Sequence, residues 1–430
     1  MAGLAPLGPA QESLRAAVQD VGLPSVPNVS PLEEAQILLS AGAEIEHALL
    51  VEYLYASWSL GNDPAGSQIF AIAIQEMCHL ITVQNLLLFT GAQPFMDRQD
   101  QDPNPMLDPF PFALRPLDEN VLTDFLLAET PPLNKMSPDQ QNVMRPLIDA
   151  NKGRFHPVGL IYAQLFWLFQ ENDQPDPLWP EVATSGFTPG RHITGAFPGQ
   201  GSDATLQVDP AVEPNWDAGH DRGGVFQKID SAVAARQAIA DIAKQGEGLA
   251  SPGDVLSHFE IFLLIFENKT LLAQLPILKF PTDPSPANVT QKLAAALCQV
   301  FNIRYQILLT ALRGALSRSR AVLADAAVRN KYTSWTFEEM HGSVQGLMRS
   351  ITKLPAVDGG SAAQLAAAPP FSQNNFTLPD TQAAIDQLLA DLHASSAKAV
   401  NAALALSPDI VTKLALQSIQ KTDKKRFPNP

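Results

Sequence analysis

The sequence predicts an all-α fold built on a helical bundle, and three observations carry that prediction. Two long apolar segments, EEAQILLSAGAEIEHALLVEYLYASWSL and SQIFAIAIQEMCHLITVQNLLLFTG, are separated by a short turn, which makes them antiparallel neighbours. Segments of helical length and pattern recur down the rest of the chain. The second long segment also carries Glu76 and His79 in an ExxH spacing inside an otherwise apolar run.

The first helix begins at Ser30-Pro31-Leu32-Glu33, where Ser is the N-cap, Pro fits the first helical position and Glu completes a capping box. It stops at Gly61-Asn62-Asp63-Pro64. The second helix is apolar nearly all round, as a helix buried on most sides should be, and Gly91 is its natural stop. From Ala92 to Phe155 the chain is rich in Pro, Asp and Asn, and reads as a long insertion with one short helix near Leu117 to Leu127. A third core helix follows in HPVGLIYAQLFWLFQEN. The next Gly- and Pro-containing stretch runs to about Gly224, and its RHITGAF and ATLQVD segments have strand-like character. KIDSAVAARQAIADIAKQ forms a fourth helix with Ile229, Val233, Ile239 and Ile242 as its apolar stripe, broken at Gly246-Glu247-Gly248. SHFEIFLLIFEN resumes helical character. Further helices are expected over 288–316, 319–353 and 380–405, with GGSAAQLAAAPPFSQNN as a loop. No repeat at a fixed period and no GxGxxG, Walker or GxSxG motif is present.

Composition narrows the function. Of 430 residues, 46% are hydrophobic and 17% charged, enough to bury a large core. The net charge of −15 repels phosphate backbones and anionic membranes, so neither nucleic acid nor a membrane is expected as a partner. The opening MAGLAPLGPAQESLRAAV lacks an apolar core before a cleavage site, and no stretch of about 18 uninterrupted apolar residues follows. The cytoplasm is the expected compartment. Cys78 and Cys298 are the only cysteines and read as reduced core residues, so any metal must be held by carboxylates and imidazoles, ligands suited to iron, manganese or zinc.

A Glu buried in an apolar helix costs several kcal/mol, on the order of a whole domain's margin, unless a positive partner compensates it. Residues three apart share a helix face, so Glu76 and His79 can reach one cation together. The bland reading is a satisfied core pair; the position of ExxH in the second of two antiparallel helices favours a ligand. In the first helix Glu44 and Glu46 point to nearly opposite sides. Glu46 shares its face with Leu49, Leu50 and Tyr53 and is preferred, while Glu44 forms a second ExxH with His47 that reads as solvent-facing. Glu247 between its glycines, then His258 and Glu260, offer ligands for the far side. Glu338 and His341 form a rival ExxH in more polar surroundings.

EIEHALLVEYLYASWSL, QEMCHLITVQNLLLFTGAQP, AKQGEG and SHFEIF together resemble the ferritin-like domain family that includes iminophenylpyruvate dimer synthase domains, over roughly residues 31 to 355. The resemblance implies a ferritin-like four-helix core with long Pro-rich insertions and extra C-terminal helices, a non-haem iron site of one or two ions, and oxidative chemistry with dioxygen on a small organic, amino-acid-derived substrate. Carried over by motif, the family's ligands fall on Glu46, Glu76, His79, Glu247 and His258. One departure stands out: where the family carries Gly-Glu at the start of the third core helix, this chain has Gly159-Leu160, which weakens the expectation of a second metal.

The expected organisation is an N-terminal extension over 1–30, a ferritin-like domain over 31–355 with insertions at about 92–155 and 173–225, and a C-terminal helical extension over 356–430. The expected activity is that of a non-haem iron oxidase or oxygenase, with Tyr53, Phe259 and Trp167 as pocket-lining candidates and a homo-oligomer compatible with the sequence. The competing expectation is an accessory protein whose metal is structural or lost. Iron storage ranks lowest, because storage bundles lack such insertions.

Overall fold

The structure, a computed structural model, describes residues 26, 28–98, 112–151, 157–184, 186–200, 207–208, 224, 226–249, 255–268, 275, 277–316, 326–373, 376–379 and 381–427. Its first helix, α1 (Pro31–Ser59), starts as the sequence dictates. Ser30 Oγ accepts from Glu33 N at 3.2 Å, and Glu33 Oε2 accepts from Ser30 N at 2.8 Å. The two orphan amides of the first turn are thus satisfied reciprocally. Asp63 caps α2 (Pro64–Thr90), and Gly91 ends it at φ 85°, a left-handed conformation that costs a glycine little.

These two helices are apolar on more than one side because helices pack against both sides of them. Leu38, Leu49 and Tyr53 of α1 belong to one core, whereas Val51, Tyr55 and Trp58 belong to another. The first core is closed by α3 (Glu119–Ala128), α4 (Pro138–Ala150), α5 (Gly159–Phe169), α6 (Ala232–Glu247) and α7 (His258–Glu267). Within it α5 lies on α1 and α6, α3 lies on α7, and both α6 and α7 touch α2. The second core gathers α8 (Lys292–Ala315), a π-helical turn (Glu339–Val344) that follows α9 (Ala326–Glu338), α10 (Gln345–Ile351), α11 (Gln382–Ala405) and α12 (Ile410–Arg426).

A buried ionic knot ties this second group together. Arg304, fully buried on α8, donates to Glu339, to Asp423 on α12 at 2.5 Å and to Ser396 on α11 at 3.2 Å, while Arg426 also donates to Glu339. Paired and hydrogen-bonded in this way, the charges offset much of the cost of leaving water.

The all-α prediction holds, with three local corrections. Among the described residues there is no β-strand, and RHITGAF forms none: Ile193 N donates to Leu168 O, and His192 holds Trp167 O and Asp173, so this backbone is tied to the end of α5 instead of a neighbouring strand. Of ATLQVD only residues 207 and 208 lie among the described residues. Val233 is exposed, and the buried stripe of α6 runs instead through Ala235, Ile239 and Ile242. The first insertion also holds a second helix, α4, whose Ser137-Pro138-Asp139-Gln140 start repeats the capping box of α1. Helices α2 and α8 are long and apolar enough to cross a membrane, but in α2 89% and in α8 56% of the apolar window is buried in the fold, as core helices are.

Candidate metal centre

Because Glu46 on α1 and Glu76 and His79 on α2 point into the first core, α1 and α2 bring three donors to one spot. His79 Nδ1 lies 2.9 Å from Glu76 Oε2 and 3.4 Å from Glu46 Oε2. The other oxygen of Glu76 faces a second set: His258, the first residue of α7, puts its Nδ1 2.9 Å from Glu76 Oε1 and 3.4 Å from Glu129 Oε1. Glu46, Glu76 and His79 form one three-donor group, and Glu76, Glu129 and His258 form another, all buried. Glu76 belongs to both.

The polar groups around the two halves match in kind. His79 Nε2 faces Gln245 Oε1 at 2.9 Å, and His258 Nε2 faces Gln75 Oε1 at 2.7 Å. Each amide oxygen takes the Nε2 hydrogen and so leaves Nδ1 as the basic nitrogen turned to the carboxylates. Tyr162 donates to Glu46, and Tyr53 donates to Glu129 Oε1 at 2.8 Å. The His79 and His258 rings stack with centroids 5.6 Å apart.

Glu247, the last residue of α6, lines the same cavity, though neither three-donor group includes it. Its carboxylate accepts from Gly159 N. Two glycines make these approaches feasible: a Cβ on Gly159 would stand 1.8 Å from Glu247 Oε2, and one on Gly246 would stand 2.7 Å from Glu129 Oε2. The glycine beside Glu247 therefore makes room for a different acid.

Burial and mutual repulsion set the electrostatics. Burial, then the charge of Glu76, pushes Glu46 up to about 8. Burial and the Glu129 carboxylate raise Glu247 well above the ordinary range, against the Gly159 amide. Burial alone would raise Glu76 too, but His258 and His79 outweigh it and hold Glu76 well below the usual carboxylate range. Burial alone would lower His258, yet Glu76 and Glu129 lift it to about 9. Four carboxylates in one dry cavity cannot all stay ionised without cations.

The arrangement fits a pair of divalent ions. Among the described residues Glu46 Oε2, Glu76 Oε1 and His258 Nδ1 are buried without a hydrogen-bond partner, although Glu76 Oε1 and His258 Nδ1 lie 2.9 Å apart; the approach lacks hydrogen-bond alignment. Orphaned buried donors and acceptors of this kind need a reason, and a shared cation supplies one. The donors are oxygen and imidazole nitrogen. Cys78, whose thiol is pushed up to about 12 by burial and by Glu76, sits in a separate apolar cluster with Ile81 and Leu88.

The structure brings together Glu46, Glu76, His79, Glu247 and His258, and leaves the other candidates elsewhere. Glu44 and His47 are buried, not solvent-facing: His47 Nδ1 bonds Met96 O at 3.0 Å and its Nε2 accepts from Tyr305, on the opposite side of α1 from Glu46. Glu260 completes the capping box of α7 on Ser257. Glu338 pairs with Arg426 at 2.8 Å, and His341 is exposed and stacks on Phe337. Phe259 is plain core, and Trp167 packs on Phe187 and donates to Thr188 O, away from the centre. Tyr53 alone of the three aromatic candidates meets the carboxylates.

Glu129 is the residue the sequence reading missed. It caps α3 in LLAETPP, inside what reads as a Pro-rich insertion, and it brings a carboxylate to His258 although Leu160 has none to offer. Its one signal is an acid closing a wholly apolar helical turn.

The family model described as ferritin-like matches residues 39–267, a span that contains every residue of the centre. No curated protein matches the chain. Among solved structures, a ferritin-like protein from Caulobacter vibrioides is similar, with 19% identity over 79% of this chain and 97% of that chain, at a TM-score of 0.42. With more than half of its length matched by the family model, and with its acids and histidines carried on a helical bundle, this chain belongs to the ferritin-like family.

Proposed function

We propose that the protein is a non-haem iron oxidase or oxygenase acting on a small organic molecule, with a two-ion centre. Glu46, Glu76 and His79 would hold one ion, and Glu76, Glu129 and His258 would hold the other, with Glu247 as a further carboxylate in the same cavity. The observation that carries this reading is Glu76, which presents one oxygen to each histidine at 2.9 Å. Two divalent cations would balance the four carboxylates of the cavity in charge. Manganese and zinc share the donor set; iron adds redox chemistry with dioxygen when bound.

The chain's own residues do the positioning. Gln245 and Gln75 fix which imidazole nitrogen faces inward, Tyr162 and Tyr53 orient Glu46 and Glu129, and the apolar walls exclude water. Such outer partners change metal affinity by roughly 10- to 100-fold when removed. The resemblance to iminophenylpyruvate dimer synthase domains supports an amino-acid-derived substrate and dioxygen as the reactants.

Anaerobic reconstitution with ferrous iron, metal counting and then exposure to dioxygen tests the proposal. Two irons per chain and an absorbance change on oxygenation are expected, with both lost in Glu76→Ala. Failure to bind iron, or unchanged iron content in Glu76→Ala and His79→Ala, sinks it.

One observation favours a second reading. The cavity between the carboxylates has a volume of about 10 Å³, room for roughly one water and not for an organic substrate. An accessory protein with a structural metal centre would look the same. Iron that binds tightly yet consumes no dioxygen with any reductant would select this alternative.

A further inference from the structure

The other face of the α1–α2 pair holds a second cavity, of about 100 Å³, walled by α1, α2, α8 and the π-helical turn and closed on one side by Phe371. Leu54 of α1, Ile74 and Met77 of α2, Leu308 of α8 and Met340 of the π turn give it an almost wholly apolar lining. It is separate from the carboxylate centre, since helix geometry turns consecutive residues about 100° apart. Glu46 and His47, or Glu76 and Met77, therefore face different sides, with the first of each pair lining the centre and the second lining this cavity.

Void space in a protein core is destabilising in proportion to its volume, so a cavity that persists needs walls that resist collapse. Two irregular features provide them here. The π turn at Glu339–Val344 interrupts the helical run and delivers Met340, His341 and Val344 to the lining. Such turns concentrate at functional sites. Phe371 has a φ of 45°, a conformation unfavourable for a residue with a bulky side chain. Its carbonyl accepts from Arg98 at 2.5 Å, and its ring lies against Trp58, centroids 5.5 Å apart, and edge-on to Tyr305 at 5.1 Å. Backbone strain and a helical irregularity thus converge on one apolar space.

The lining also excludes classes of ligand. His47 is committed through both ring nitrogens, to Met96 O and Tyr305, and burial followed by the charge of Arg98 pushes it down to about 3, so it stays neutral. Among the described residues no Lys, Arg, Asp or Glu lines the cavity. A carboxylate or ammonium placed here would be desolvated with no counter-charge. Exposed His341 and half-buried Gln345 are the more accessible polar residues of the lining, and a hydrogen-bonding group could meet them. Met77 and Met340 supply adaptable walls that suit a flat ring.

We propose that this cavity is a binding site for one small, uncharged, largely apolar molecule of about one aromatic ring, at a place distinct from the carboxylate centre. An apolar cavity of roughly 150 Å³ is known to stay dry and to accept benzene, which sets the scale. The proposal does not depend on the metal reading and stands whether or not iron binds.

Toluene titrated against the full chain, followed by saturation-transfer NMR, tests it. Saturable binding is expected, with benzoate at least 10-fold weaker. Ile74→Trp and Met340→Trp, which fill the space from opposite walls at half-exposed positions, should each weaken toluene at least 10-fold while leaving metal content unchanged. Absence of toluene binding up to its solubility limit, equal binding of benzoate, or unchanged binding in either folded variant overturns the proposal. Should neither variant fold, a xenon-pressurised crystal of the unaltered chain decides: xenon between Leu54 and Met340 supports the site, and its absence there rejects it.

Discussion

Glu76 Oε1 and His258 Nδ1 stand 2.9 Å apart without the alignment of a hydrogen bond, one on a long central helix and the other on the first residue of a short one. Neither atom has another hydrogen-bond partner among the described residues. A carboxylate oxygen and an imidazole nitrogen buried this close without hydrogen-bond alignment are spaced as two neighbouring donors to one cation could be.

Glu129→Gln should halve metal occupancy. The substitution keeps the volume and the Tyr53 contact but removes the charge that faces His258. Elemental analysis after reconstitution should fall from about two ions per chain toward one, given that only one of the two donor groups is damaged. Loss of both ions, or of neither, would contradict the division of donors proposed here. Glu338→Gln serves as the control and should change nothing.

Metal loading should release protons and tighten as pH rises. In the metal-free protein Glu46 is pushed up to about 8 and His258 up to about 9, and His79, where burial is outweighed by Glu76 and Glu46, stands well above the ordinary imidazole range, so all three hold protons at neutrality. Ligands must be deprotonated to bind, hence protons compete with metal below these values and cease to compete above them. Calorimetric titration at pH 7 in two buffers of different ionisation enthalpy should give at least two protons released per chain, and about three when both donor sets fill, because Glu46, His79 and His258 all give up a proton. A buffer-independent heat would rule this out.

The first donor set, the all-helical fold and the caps of α1 and α2 were legible because they depend on local chemistry: Ser30, Pro31, Glu33 and Gly91 act within one turn, and ExxH places Glu76 and His79 on one face. Glu129 was not legible, since nothing within one turn of it reveals that α3 lies against α7, where His258 is. Leu160 bears on the same point: motif position looks for a carboxylate at the start of α5, whereas the chain brings Glu129 to His258 from the end of α3. The burial of Glu44 and His47 was hidden too, because only the packing of α8 through Tyr305 makes the second face of α1 an interior.

Gly246→Ala should damage the centre without touching a donor. Its added methyl group would meet Glu129 Oε2 at 2.7 Å, so the carboxylate must shift. Retained helicity with weakened binding of one ion, by about 10-fold or more, is expected, the size typical of disturbing a ligand's support. Gly159→Ala should be harsher, because the same group would overlap Glu247 Oε2 at 1.8 Å and its amide anchors that acid. Equal metal affinity in Gly246→Ala, measured by chelator competition, would count against a ligand role for Glu129.

The ionic knot should govern acid stability of the C-terminal helices. Burial would raise Glu339, but Arg304 and then Arg426 outweigh it and hold its carboxyl low; Asp423 is low as well, where burial is outweighed by His393 and Arg304. Folded values below unfolded ones mean a stabilising contribution that is whole above about pH 4 and fades as pH drops through the folded values. Glu339→Gln leaves Arg304 buried with a broken partner and should cost about 3 to 5 kcal/mol in urea unfolding at pH 7. The gap between this variant and the unaltered chain should narrow steadily from pH 4 downward.

Helices α1 and α2 serve two interiors at once, like a party wall between adjoining houses. Val51, Tyr55 and Trp58 have no water-facing alternative, so the segment matched by the family model cannot be lifted out of the chain as a free-standing unit. A fragment ending at residue 267 would present one whole side of its central helices to solvent as a broad apolar sheet, the kind of surface that drives aggregation. The C-terminal third is therefore structural fabric, and any attempt to trim the protein to its metal-binding half should begin by repainting that wall with polar residues.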